Sequence, residues 1–147
     1  MALLDAEVAF NMVTYSSLLK AIESRGGEER FISWYGNYLN NRTISVNHKG
    51  IRTHRACTRG VGQGCVISPI AYNLATEGAL SLFEPDANGD TDADPTDPHP
   101  GVRIRGTAYA DDLAFQVQGS DLAVLQEKMQ WALNKLTEWA TTVGLSF

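Results

Sequence analysis

The sequence predicts an α+β fold, a small antiparallel sheet with helices packed on one face. Three observations carry that expectation. Two short apolar segments, 102–108 and 113–117, flank Tyr109-Ala110-Asp111-Asp112, the pattern of two strands around a tight turn. A third apolar run, Ala2-Leu3-Leu4, stops at Asp5 and reads as a buried strand with an acid at its end. Other segments repeat apolar residues at helical spacing. The clearest runs from Ser120 to Val143, with Leu122, Leu125, Met129, Leu133, Leu136 and Ala140 on one face.

The remaining elements follow in chain order. Asn11 to Thr14 reads as a turn, with Thr14 or Ser16 as cap of a helix containing Leu18, Leu19 and Ile22. Gly26-Gly27 breaks that helix. A second begins near Glu28, where Glu28 and Glu29 suit the positive end of the helix dipole, and ends at Asn40-Asn41. Phe31, Ile32, Tyr35, Tyr38 and Leu39 form its apolar stripe. Residues 42–57 alternate loosely and predict a hairpin turning near Asn47–Gly50, its basic side chains sharing one solvent-facing surface. Gly60, Gly62 and Gly64 mark a loop. Ser68-Pro69 then opens a helix expected over 68–83, with Ile70, Leu74 and Leu82 as its stripe. Gly144 suits the C-terminal cap of the last helix.

With 147 residues, 44% of them hydrophobic and 20% charged, the chain has the size and balance of one globular domain. No stretch approaches the roughly 18 consecutive apolar residues of a membrane span, and the first residues lack the basic region of a signal peptide. Cys57 and Cys65 are too few for a disulfide scaffold or a four-cysteine zinc site, which predicts a reduced, intracellular protein, nuclear or cytoplasmic. The net charge of −5 hides two opposite segments. Residues 84–97 hold six acids and no base, within a proline-rich stretch, 84–101, that predicts an exposed acidic insert. Its Asp86-x-Asn88-x-Asp90-x-Asp92 spacing resembles the opening of a calcium loop but lacks the glycine and glutamate that complete one. Residues 42–59 hold five bases (Arg42, Lys49, Arg52, Arg55, Arg59), two histidines and no acid, a candidate nucleic-acid surface.

The chemistry concentrates at Tyr109-Ala110-Asp111-Asp112. Adjacent carboxylates at a hairpin tip repel each other, and a divalent cation with hard oxygen ligands removes the conflict. Phosphoryl transfer by two metals about 3.5–4 Å apart wants a further carboxylate from another strand, and Asp5 is the natural candidate. A solvated acidic turn is the plain alternative.

Asp5-Ala6-Glu7-Val8-Ala9-Phe10, then Arg59-Gly60-Val61-Gly62-Gln63-Gly64-Cys65-Val66-Ile67-Ser68-Pro69, then Tyr109-Ala110-Asp111-Asp112 form an ordered set. The set resembles motifs A, B and C of reverse transcriptases, in particular those of non-LTR retrotransposons. Tyr38-Leu39-Asn40-Asn41-Arg42 and the closing Trp139 to Leu145 resemble further family segments, so the resemblance spans nearly the whole chain. It implies a polymerase palm whose antiparallel sheet carries Asp5 and the 109–112 hairpin, with part of the fingers formed by the helices at 14–40 and the hairpin at 42–57. Motif A lies near 3–11, motif B near 59–69, motif C at 109–112 and the motif D helix at 120–143. The family's upstream fingers strands and its thumb are absent, as in a piece of a longer polyprotein. By the same resemblance Asp5, Asp111 and Asp112 are catalytic metal ligands for two Mg²⁺ ions, with Mn²⁺ possible. Phe10, Gln63, Gly64 and Tyr109 match nucleotide-binding positions. The implied reaction is nucleotidyl transfer from a dNTP to a DNA primer 3′-hydroxyl on an RNA template, without a membrane.

The chain departs from the family pattern at Asn11, where an aspartate is usual, and at Gly62, where proline is usual. Two alternatives stand beside the polymerase. One is an inactive palm remnant that at most binds nucleic acid. The other is a different two-metal palm enzyme, a nucleotide cyclase or phosphodiesterase, against which Gln63 and Ser68-Pro69 argue because those reactions hold no template.

Overall fold

The computed structural model describes residues 1–6, 9–83 and 94–147. Within them the chain runs β1 (Ala2–Asp5), α1 (Ala9–Met12), α2 (Tyr15–Ser24), α3 (Glu29–Asn40), β2 (Thr43–His48), β3 (Ile51–Ala56), α4 (Ser68–Thr76), α5 (Gly78–Ser81), β4 (Ile104–Tyr109), β5 (Asp112–Val117) and α6 (Leu122–Val143). The mixture of helices with antiparallel sheets agrees with the expected α+β class. The elements fall into two compact units, one of Met1–Glu7 with Thr76–Phe147 and one of Val8–Ala75.

The first unit is built on an antiparallel sheet in the order β1-β5-β4. Its register sets Leu4 against Leu113, and both Ala2 and Gly106 against Phe115. Alternate strand residues face opposite sides, so these five share one face. Leu113 and Phe115 are buried there with Ala79 of α5 and Leu136 of α6, and Leu80, Phe83, Met129 and Trp139 pack around them. A Cβ on Gly106 would meet Leu80 and the Phe115 ring at 2.8 Å, so glycine lets β4 close on this core. The opposite face carries Leu3, Asp5, Thr107, Tyr109 and Asp112. Contrary to expectation, β1 is therefore a half-buried edge strand, with Leu3 72% exposed.

The helix expected over 68–83 is two helices. Gly78 opens the second, and a Cβ there would lie 2.7 Å from Trp139 Nε1. The buried face of α4 is Ala71, Tyr72 and Ala75 rather than the expected Ile70 stripe, and both Ile70 and Leu82 are exposed. That face sets one large ring, Tyr72 at 1% exposure, between two alanines.

In α6, Asp121 caps the N-terminus by accepting from the amides of Ala123 and Val124, and Gly144 takes the left-handed cap conformation at φ 87°. Leu122, expected in the apolar stripe, is exposed, and Lys128 is buried in its place. Lys128 is neutralised by Asp97 and lies 4.7 Å from the centre of the Trp131 ring. The same stretch makes three more bonds to α6. Lys135 pairs with Asp94 at 2.9 Å, Trp131 Nε1 donates to Thr96 Oγ1, and His99 pairs with Glu127. The described end of the acidic insert is thus docked rather than free. The cause is charge, since two of its acids meet the two lysines of α6. The calcium-like spacing and the rest of the insert at 84–93 lie outside the described residues.

In the second unit Thr14 caps α2 by accepting from the Ser17 amide at 3.2 Å, and Gly26 follows the helix at φ 76°. Val13, Leu18, Tyr35, Leu39, Val61, Ala71 and Tyr72 are buried to within 1% exposure. Phe31 and Tyr38, expected in the buried stripe of α3, are exposed. The β2–β3 hairpin turns at Lys49-Gly50, with φ of 49° and 83°, as a tight primed turn requires. Every residue of both strands is exposed.

Candidate active site

In the first unit, Asp5 is the direct cross-strand partner of Asp112. Asp112 in turn pairs with Tyr109 across the β4–β5 hairpin. Directly opposite residues have Cβ atoms about 4.5–5.5 Å apart on the same face. Two exposed carboxylates therefore stand side by side at the open end of the sheet, next to Tyr109, which is 83% exposed. Asp111 sits in the two-residue turn, and its carbonyl accepts the Ala6 amide at 3.3 Å, tying the turn to the end of β1. Ala110, the first turn residue, holds φ at 53° without being glycine.

These groups border an open concavity of about 460 Å³ lined by Leu3, Leu4, Asp5, Thr107, Tyr109, Asp112, Leu113 and Ala114. None of the three aspartates forms an ion pair among the described residues. Like charges directly opposite on a sheet are destabilising, and a hard cation with oxygen ligands fits that pair. The three do not form one cage, however. Among the described residues no cluster of three or more His, Cys, Asp or Glu side chains is arranged to hold a metal. The reason is local geometry: Asp112 belongs to the strand and Asp111 to the turn, so consecutive side chains do not share one face.

The second unit contains Phe10, Gln63 and Gly64. Phe10 stacks on the buried Tyr72 at 4.4 Å between ring centres, and its carbonyl accepts the Val61 amide at 2.7 Å. The chain thus joins Phe10 to the glycine loop, at whose tip Gln63 and Gly64 are exposed, Gly64 at φ 82°. Gly60, at φ 80°, is the glycine that packing requires, because a Cβ there would meet the Asn11 backbone at 2.7 Å. The Gly60 amide bonds the Val13 carbonyl at 2.7 Å, and Arg59 bridges Thr14.

The basic residues do not share the single surface expected of them. Arg42 donates to the Gly60 carbonyl at 2.8 Å and so braces the loop. Arg52 pairs with Asn47 and Arg55 with Ile44, which places them on opposite faces of the hairpin, while Lys49 lies in its turn. An odd spacing within one strand separates side chains in this way.

Tyr38 was expected as an apolar stripe residue and as the start of the segment 38–42 that resembles the family, with no role at the glycine loop, yet its hydroxyl lies against Gly62 and bonds Cys65. Cys65 is held below the usual thiol range, first by the Ile67 amide and further by the hydroxyls of Tyr38 and Ser68. Burial pushes Tyr35 up to about 12, and its hydroxyl and that of Tyr15 have no hydrogen-bond partner among the described groups. The signal for Tyr38 and Arg42 was their proximity to the glycine loop in the fold, which composition does not carry.

Over residues 1–147 the chain matches the family described as reverse transcriptase (RNA-dependent DNA polymerase). It is 30% identical over 144 residues to the "Retrovirus-related Pol polyprotein from type-1 retrotransposable element R2" of Bradysia coprophila, a match covering 98% of this chain and 15% of that protein. It is 25% identical over 140 residues to the "Putative 115 kDa protein in type-1 retrotransposable element R1DM" of Drosophila melanogaster, covering 95% of this chain and 12% of that protein. No helix among the described residues is long and apolar enough to cross a membrane.

Proposed function

Because this chain belongs to the reverse transcriptase (RNA-dependent DNA polymerase) family, we propose that it carries the catalytic carboxylates of an RNA-templated DNA polymerase of a non-LTR retrotransposon. In this reading the first unit is the palm and the second contributes to the fingers. The observation that supports it most is the Asp5–Asp112 cross-strand pair beside the Asp111 turn.

Asp5 and Asp112 would hold Mg²⁺, or Mn²⁺ in its place, with Asp111 contributing from the turn. When bound, two such ions supply activation of the primer 3′-hydroxyl and neutralisation of charge on the pyrophosphate leaving group. The protein's share is positioning. The sheet presents both carboxylates on an open face, and the exposed Tyr109 offers a flat apolar surface beside them. Gln63 and Gly64 at the loop tip present a polar side chain and an unobstructed backbone to nucleotide and template. Phe10 is the family's position for sensing the sugar 2′-carbon. No side chain serves as general base.

Tb³⁺ binding tests the centre, because excitation of Tyr109 sensitises emission from a lanthanide held beside it. Asp112→Asn and Asp5→Asn are each expected to weaken Tb³⁺ binding by at least about tenfold, equivalent to 1.4 kcal/mol, with Mg²⁺ competing for the site. Unchanged affinity in both variants removes these carboxylates from any metal centre. Extension of a DNA primer on an RNA template tests the activity, and incorporation that survives Asp111→Asn overturns the assignment.

A further inference from the structure

Helix α3 carries an aromatic ridge that the proposed chemistry does not use. Trp34 is 52% exposed and Phe31 and Tyr38 are exposed with it, while Tyr35 lies buried beneath them. Trp34 stacks on Tyr38 and is tilted against Phe31. Trp34 lies 5.7 Å from Phe31 and 6.1 Å from Tyr38 between ring centres, the latter pair inclined by only 14°.

At about 100° per residue, Arg30, Phe31, Trp34, Asn37 and Tyr38 share an arc of about 120°. Glu28 and Glu29 fall outside it. Arg30 is exposed and forms no ion pair among the described residues. Directly after α3 the chain enters residues 42–59, which hold five bases and no acid.

A ridge destined only for the apolar surface of another protein segment gains nothing from a guanidinium and an amide along its edge. Flat rings with a cation and an amide donor suit a ligand that offers π-faces, phosphates and base edges together. We infer that the Arg30–Tyr38 face of α3 is a stacking platform for single-stranded nucleic acid. The inference rests on the nucleic-acid side of the proposed function and adds the surface that takes the unpaired strand.

Fluorescence anisotropy of a labelled oligouridylate of roughly twelve nucleotides, titrated with this chain, tests it. Trp34→Leu is expected to weaken binding about tenfold, within the range for loss of one base–aromatic stack, without altering the salt dependence. Trp34→Phe keeps a ring and should fall between wild type and leucine. Arg30→Gln should instead flatten the log–log salt slope by about 0.7. Circular dichroism checks that each variant is folded.

Binding equal to wild type in both Trp34 variants overturns the platform, as does a wild-type chain that binds no single strand. Either result leaves the carboxylate centre to be judged on Asp112 and Tb³⁺. Loss of self-association in Trp34→Leu with RNA binding intact also overturns it, because the ridge is then a protein contact.

Discussion

The β2–β3 and β4–β5 hairpins have the same build and opposite surroundings. Each pairs two six-residue strands across a two-residue turn. The β4–β5 pair gains β1 as a third strand and closes one face over Phe115 and Leu113. The β2–β3 pair forms a two-stranded sheet, and all of its strand residues are exposed. Both alternate in the expected way, since Ile44, Val46 and Ile51 share one side of β2–β3. Alternation shows that a face can be covered; a third strand and a helix decide whether it is. A two-stranded hairpin alone is marginal in water.

The turns are alike at their first residue and differ at their second. Both open on a non-glycine residue in the left-handed region, Lys49 at φ 49° and Ala110 at φ 53°. The exposed hairpin follows it with a left-handed glycine, Gly50 at φ 83°, and the packed one with Asp111.

The largest effect expected from this contrast is in the core. Phe115→Ala should cost about 3–5 kcal/mol in urea denaturation, while Val46→Ala, at an exposed site, should stay within about 0.5 kcal/mol. Equal losses would mean that β2–β3 is covered as well as β4–β5. The turns should give intermediate effects of opposite sign. Gly50→Ala places a Cβ in the left-handed region and should destabilise by about 1 kcal/mol, whereas Ala110→Gly should stabilise by up to about 1 kcal/mol. A destabilised Ala110→Gly would show that the packed turn prefers its alanine.

The smallest effect concerns the clasp between residues 94–99 and α6, a support that β2–β3 lacks. Hydrogen bonds from Thr96, with Lys135 beside it, hold the Asp94 carboxyl down to about 2. A carboxyl depressed in the folded state stabilises above its unfolded value of about 3.9, and the contribution fades as pH falls toward 2. Acid titration of stability should therefore be shallower between pH 4 and 2 in Asp94→Asn than in wild type. Identical acid limbs would remove Asp94 from the clasp.

Much of the local structure was legible. The Thr14 and Gly144 caps, the turn at Lys49-Gly50 and the strands around residues 109–112 each depend on a few consecutive residues whose backbone preferences suffice. The stripes of α4 and α6 were read less well. Ile70 and Leu122 are apolar but exposed, and Lys128 is charged but buried, because the face a helix buries is chosen by what packs against it. Of the candidate site, the types and order of Asp5, Asp111 and Asp112 were legible, while their arrangement as a facing pair plus a turn residue was not.

The sequence by itself determined where strands, turns and caps lie and which carboxylates are available, since those follow from backbone sterics and short-range hydrogen bonds. Only the tertiary structure decided that Asp5 faces Asp112, that Arg42 braces Gly60, that Lys128 is sheltered by Asp97 and that Gly60 is the indispensable glycine of its loop. Each of these joins residues distant along the chain, and such contacts arise from register and packing, which no local window of sequence encodes.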